Sequence, residues 1–187
     1  ESMRLGEAIA AGDYDGDGVC DLAAYAVMAN AATSDSGAVF LYRGRPAEGP
    51  DRGGPEELPR LIWTRADAVD DNARFGEDVL LGDLNGDGNA DLVATRYLHD
   101  GAAGTDSGAV YVRYGRGFGE PATGYTDVDA GADWSFEGQG SDRGDNAAAL
   151  FDYDGHGRLD LLSGDSRAEV MDGTIDRPGM IRVFSGG

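Results

Sequence analysis

The sequence predicts an all-β protein built from three successive four-stranded antiparallel units. Three observations predict it. An acidic, Gly-rich turn recurs about every 70 residues, as "DYDGDGVCDL" from Asp13, "DLNGDGNADL" from Asp83 and "DYDGHGRLDL" from Asp152. Short apolar runs flank each turn, and no stretch keeps a 3.6-residue apolar period.

Each unit reads the same way along the chain. A first strand ("EAIAAGD", "EDVLLGD", "NAAALFD") enters the turn, and a second ("DLAAYA", "DLVATR", "DLLSGD") leaves it, so the two form a hairpin. A third strand, "AVFLYR" or "AVYVRY", is rich in β-branched and aromatic residues. A fourth lies around Trp63 or Trp134, after a connection such as the Pro- and Gly-rich "RPAEGPDRGGPEELP". "SGAVFLYRGR" at Ser36 is answered by "SGAVYVRYGR" at Ser107 and, more loosely, by "PGMIRVFSGG" at Pro178. The chain is read as one domain, 1–187, with repeats near 5–74, 75–142 and 143–187, the last ending before a fourth strand.

Composition narrows the function. Lys and Arg total 15 against 35 Asp and Glu, a formal charge of -20, which disfavours nucleic acid and anionic membranes as partners and favours a cation. Cys20 is the single cysteine, so no disulfide forms within the chain. No apolar run reaches the roughly 18 residues of a spanning helix. The start shows no basic stretch followed by an apolar one, so no export signal is visible.

Four antiparallel strands per unit, repeated in series, describe β-propeller blades. On these residues the chain resembles the FG-GAP repeats of integrin α-subunit propellers: "RFGEDVLLGDLNGDGNADLVA" holds the Phe-Gly pair, the strand and the acidic turn. Two departures are plain. Phe75-Gly76 is replaced by Leu5-Gly6 and Arg143-Gly144 in the other copies, and His156 interrupts the third turn.

Counted from its first Asp, each turn sets oxygen-bearing side chains at places 1, 3, 5 and 9, with a backbone carbonyl offered at place 7. The first turn supplies Asp13, Asp15, Asp17, Asp21 and the Val19 carbonyl; the second supplies Asp83, Asn85, Asp87, Asp91 and the Asn89 carbonyl. Carboxylates this close repel one another unless a cation lies among them. Hard oxygens suit Ca2+, which takes about six to eight of them, and the lack of Cys and clustered His argues against zinc or copper. A helix-loop-helix calcium site needs an acid at place 12, where this chain has Ala24, Ala94 and Ser163. The third turn keeps Asp152, Asp154, Asp160 and the Arg158 carbonyl, but His156 offers nitrogen, and weaker or no binding is expected there.

Other signals read as structural. Arg143-Gly144-Asp145 falls where other repeats have Phe75-Gly76-Glu77 and Leu5-Gly6-Glu7, a turn before a strand. Cys20 aligns with Ala90 and Leu159 and is expected to be a small buried hydrophobe. Trp63 and Trp134 recur with the repeat and suit packing between blades. His99 and His156 have no Ser or Cys neighbour suggesting a triad, and no catalytic residue is assigned.

Three blades are few for a ring, since propellers close with about four to eight. Either two copies associate into a ring of six or so blades, or the chain is part of a longer one. Calcium would occupy one face, and variable loops such as "NAATSDSG", "LHDGAAGTDSG", "DSRAEVMDGTIDRPG" and "RADAVDDNARFG" the other. The resemblance implies a non-enzymatic, calcium-binding module for protein or glycan recognition and adhesion, placed outside the cytoplasm. Its rival is an accessory domain of a secreted enzyme of lyase or phospholipase type.

Overall fold

The computed structural model describes residues 3–27, 29, 36–47, 53–64, 74–97, 100, 107–138, 147–166 and 179–187. Blade 1 consists of β1 (Leu5–Gly12), β2 (Asp21–Ala26), β3 (Ala38–Tyr42) and, after a small hairpin of β4 (Gly44–Arg45) and β5 (Gly54–Pro55), β6 (Leu61–Thr64). Blade 2 consists of β7 (Phe75–Gly82), β8 (Asp91–Arg96), β9 (Ala109–Arg113) and β11 (Trp134–Glu137). Blade 3 shows three strands among the described residues: β12 (Ala147–Phe151), β13 (Asp160–Asp165) and β14 (Met180–Phe184). Neighbouring strands within each blade run antiparallel, as predicted, with the Trp-bearing strands fourth in order.

One feature of blade 2 has no counterpart in the prediction. The long connection from β9 to β11 folds back onto blade 1, where β10 (Thr126–Asp127) pairs in parallel with β6 and leads into a single helical turn, α1 (Val128–Gly131). Asp127 caps that turn, its side chain accepting the Asp129 N–H at 2.9 Å.

The blades stack face to face and the core lies in the seams. Between blades 1 and 2, Tyr25, Val39, Leu41 and Trp63 meet Phe75, Val79, Leu92, Ala94 and Tyr111. Trp63 is fully buried, and its ring lies edge-on to Phe75 at 5.3 Å and to Tyr111 at 6.5 Å. Between blades 2 and 3, Leu80, Val93, Val110, Val112 and Trp134 meet Leu161, Ala148, Leu150, Leu159 and Phe184. The recurrent tryptophans are therefore packing residues between blades.

The Phe-Gly pair now has a physical meaning. Gly76 adopts φ 100°, and a Cβ there would lie 2.6 Å from Val39 and 2.8 Å from Tyr25, so only glycine lets the strand approach blade 1. Phe75, one residue earlier, fills the seam. At the matching place in blade 1, Gly6 keeps φ 97° but has open space around it, and Leu5 is half exposed.

Cys20 corrects one expectation: it is exposed, not buried. Its counterparts Ala90 and Leu159 press against Gly12 and Gly82 of the preceding blade, where a Cβ on either glycine would come within 2.9 Å and 2.8 Å. Blade 1 has no blade before it among the described residues, so nothing covers Cys20. The same geometry leaves Ile9 exposed at one end of the array, and Ile181, Val183 and Phe151 at the other. Arg143-Gly144-Asp145, His99 and most of the variable loops lie outside the described residues.

Because Trp63 is sealed in its seam, Trp63→Ala is expected to cost about 3–5 kcal/mol in urea unfolding. Trp134→Ala, in a half-open groove, should cost clearly less.

Candidate metal centre

Each acidic turn is folded by its own side chains before any ion is considered. The first Asp gathers N–H groups from across the bend. Asp13 accepts from Asp17 at 3.0 Å and Gly18 at 2.8 Å, Asp83 from Gly86 at 2.7 Å and Gly88 at 2.9 Å, and Asp152 from Gly155 at 2.7 Å and Gly157 at 2.8 Å. Two left-handed glycines close each bend: Gly16 and Gly18, Gly86 and Gly88, Gly155 and Gly157, with φ between 74° and 92°. At place 3, Asp15, Asn85 and Asp154 accept the N–H of place 5. At place 5, Asp17 and Asp87 accept the N–H of Val19 and Asn89 at place 7.

The acid at place 9 does a different job. Asp21, Asp91 and Asp160 are all buried, and each ties its turn to the third strand of its own blade. Asp91 accepts from Leu84 at 2.8 Å and Asn85 at 3.3 Å on one oxygen, and from Gly115 at 2.9 Å on the other. Asp21 does the same with Tyr14, Asp15 and Gly44, and Asp160 with Tyr153 and Gly186. The glycine after the third strand is obligatory: a Cβ on Gly44, Gly115 or Gly186 would fall 2.1, 2.7 or 1.9 Å from the nearest backbone oxygen. Burial pushes the Asp21 and Asp91 carboxyls above their ordinary range, against the pull of these N–H groups. For Asp160 the N–H groups of Gly186 and Tyr153 dominate and hold it low.

In the first turn Asp13, Asp15 and Asp21 converge, with one oxygen of each within 4.8 Å of the others. Asp152, Asp154 and Asp160 converge in the same way in the third. The two differ in cover: Asp13 and Asp15 are half-buried, whereas Asp152 and Asp154 are exposed. His156 stands out in solvent and places Nδ1 2.7 Å from Asp154. Asp17 is outside the first cluster; its carboxylate faces Arg43, whose Nη2 lies 2.7 Å from Asp17 and whose Nε lies 3.0 Å from Asp15. That ion pair draws the Asp17 carboxyl below its ordinary value. In the second turn Asn85 replaces one carboxylate and donates to Asp87 at 3.0 Å.

Arg43 was invisible to turn-by-turn reading, lying 26 residues from Asp17. The available signal was repeat register: Tyr114 and Ser185 occupy its place in the other blades, so the first turn alone has an internal cation there. Place 7 also does more than offer a carbonyl. The Asn89 side chain lies against Gly16, and the Arg158 guanidinium against Gly86, so each later blade reaches back to the turn before it. The Ala90 N–H adds a 2.7 Å bond to the Asp13 carbonyl, and Gly187 N–H one of 3.0 Å to that of Leu84.

Comparison with known families falls on the middle blade. Residues 75–112 match the FG-GAP repeat. The match runs from the Phe-Gly pair through the acidic turn to the third strand, as the resemblance in sequence implied, and the β-rich architecture agrees with it. No curated protein matches the chain. The carboxylate clusters of the first and third turns offer oxygen donors alone, which suits a hard cation by donor chemistry.

These geometries separate two roles among the acids. Asp91→Ala leaves three N–H groups without their charged acceptor, and about 3 kcal/mol of stability should be lost in chelator-treated protein. Asp83→Asn retains an acceptor at the turn and should change unfolding little under the same conditions.

Proposed function

We propose that this protein is a non-enzymatic FG-GAP propeller module for protein or glycan recognition and adhesion outside the cytoplasm, with calcium holding its hairpin turns. The observation that supports it most directly is the convergence of Asp13, Asp15 and Asp21, repeated by Asp152, Asp154 and Asp160, in a chain of net charge -20. A bound Ca2+ supplies the positive charge these carboxylates lack and cross-links the bend. Asp13, Asp15, Asp17, Asp21 and the Val19 carbonyl would hold it in the first turn, with Asp83, Asn85, Asp87, Asp91 and the Asn89 carbonyl in the second. Asp152, Asp154, Asp160 and the Arg158 carbonyl form the third, weaker set. The chain has no internal disulfide, so such cross-links would take over that stiffening role. Among the described residues no helix is long and apolar enough to cross a membrane.

The same reading assigns a partner for the open faces: a second copy of the chain that completes the ring, or the remaining blades of a longer chain. The open face of blade 3, with Ile181 and Val183, is the repeat equivalent of the face that blade 1 turns toward blade 2. The open face of blade 1, with Leu5 and Ile9, is the equivalent of the face that blade 2 turns toward blade 1. Head-to-tail association covers both. Phe151 stands where the internal seams have Gly12 and Gly82, so the closing seam differs from them, and the residue set to meet it is the small, uncovered Cys20.

Calorimetry on chelator-treated protein should show calcium binding that Asp13→Asn and Asp83→Asn each diminish, with thermal stabilisation of about 2.7 kcal/mol at a hundredfold excess over Kd. Absence of binding at millimolar calcium would overturn the reading. Arg43→Ala should tighten binding at the first turn and leave the second unchanged. In light scattering the protein should run as a dimer and Ile181→Asp as a monomer; a wild-type monomer at high concentration rules out ring completion.

A further inference from the structure

A peptide nitrogen can attack the side-chain amide of the asparagine that precedes it, and glycine, with no Cβ, hinders that approach least. Of the five asparagines in the chain, only Asn85 is followed by glycine; Asn30, Asn72, Asn89 and Asn146 all precede alanine.

The second acidic turn presents this pair openly. Asn85 is half-buried, Gly86 is exposed with φ 77°, and the group nearest to an added Cβ on Gly86 is the Arg158 guanidinium at 3.7 Å. Asn85 Oδ1 accepts the Asp87 N–H at 2.9 Å, a bond that closes a ring containing the Gly86 nitrogen and draws electron density away from the amide carbon. Asp83 accepts the Gly86 N–H at 2.7 Å and holds that nitrogen in the bend. Asn89 is the contrast: its neighbour Ala90 is buried in the seam against Gly12, with a methyl group beside its nitrogen. The Asp-Gly pairs of the same bends, such as Asp87-Gly88, carry carboxylates, whose carbon is a poor target for a nucleophile.

We propose that Asn85 is a self-modification site, converted to an acid by its own backbone with water as the co-reactant. The Gly86 nitrogen releases its proton to solvent and bonds to Asn85 Cγ; the Cγ–Nδ2 bond breaks, and the amide nitrogen leaves with a solvent proton as ammonia. Water then opens the resulting cyclic imide. Opening at Cγ gives aspartate, and opening at the backbone carbonyl gives isoaspartate, with the chain routed through Cβ. Aspartate makes place 3 a carboxylate, as at Asp15 and Asp154, and removes the amide donor that binds Asp87 at 3.0 Å. In the first turn Arg43 pairs with the acids at places 3 and 5, but Tyr114 holds its place in the second blade, so the product gains a charge that no Arg43 counterpart balances. The modification raises the turn's demand for a cation. The reaction itself needs no calcium.

The intact protein is incubated with chelator at mildly alkaline pH, and its peptides are followed by mass spectrometry and by isoaspartyl methyltransferase labelling. Conversion is expected at Asn85 at least about tenfold faster than at any other asparagine, at a rate that rises with pH. The aspartate form should elute with Asn85→Asp on ion exchange, and Asn85→Gln, with its fold checked by circular dichroism, should yield no such species. A synthetic peptide of residues 82–91 gives the rate without the fold. The proposal is overturned if Asn85 stays unconverted, or if its rate in the folded protein is more than about a hundredfold below that of the peptide. It is also overturned if Asn89 converts as fast, or if Asn85→Gln accumulates the same acidic species.

Discussion

The buried carboxylate at the end of each acidic turn is the contact on which the rest of the molecule depends. Asp21, Asp91 and Asp160 each join a bend to the glycine just after the third strand of the same blade. Burying an anion is costly unless N–H groups surround it. Here each carboxylate is met from two directions, by the turn and by a glycine whose missing side chain lets the strand close in. The turn is thus part of the blade's framework, and the remaining acids, held at its rim, are free for a different purpose.

From that framework the seams follow. With the first hairpin fixed, alternate residues of the four strands point into the gap between blades, where Trp63, Phe75 and Tyr111 interlock. Register errors of one residue would send these side chains to the opposite face. The bulge near Gly6 and near Gly76 and the Asp-to-Gly tie at the far end hold the strand at both ends against such a slip.

Much of this was legible in the chain. Strand order, the Trp-bearing fourth strands and the hairpin turns all follow from local patterns whose meaning does not depend on distant partners. What escaped depends on neighbours. Cys20 looked like Ala90 in sequence, but burial belongs to the seam and not to the residue, and among the described residues no seam covers that side of blade 1. Arg43 carries no local mark, since its partners come from another strand pair. The fold-back of residues 126–131 is written in a Gly- and Pro-rich connection whose composition says "loop" and not where the loop lies. The Phe-Gly pair itself is a product of packing. It is complete only in the middle blade, where the family match at 75–112 also falls.

The reach of Asn89 onto Gly16 and of Arg158 onto Gly86 gives the row of turns a direction. Every bend rests on its predecessor and supports its successor, in the manner of overlapping roof tiles. Because each such contact is shared by both its partners, disturbing the middle bend unsettles two neighbours, whereas disturbing either end bend reaches one directly.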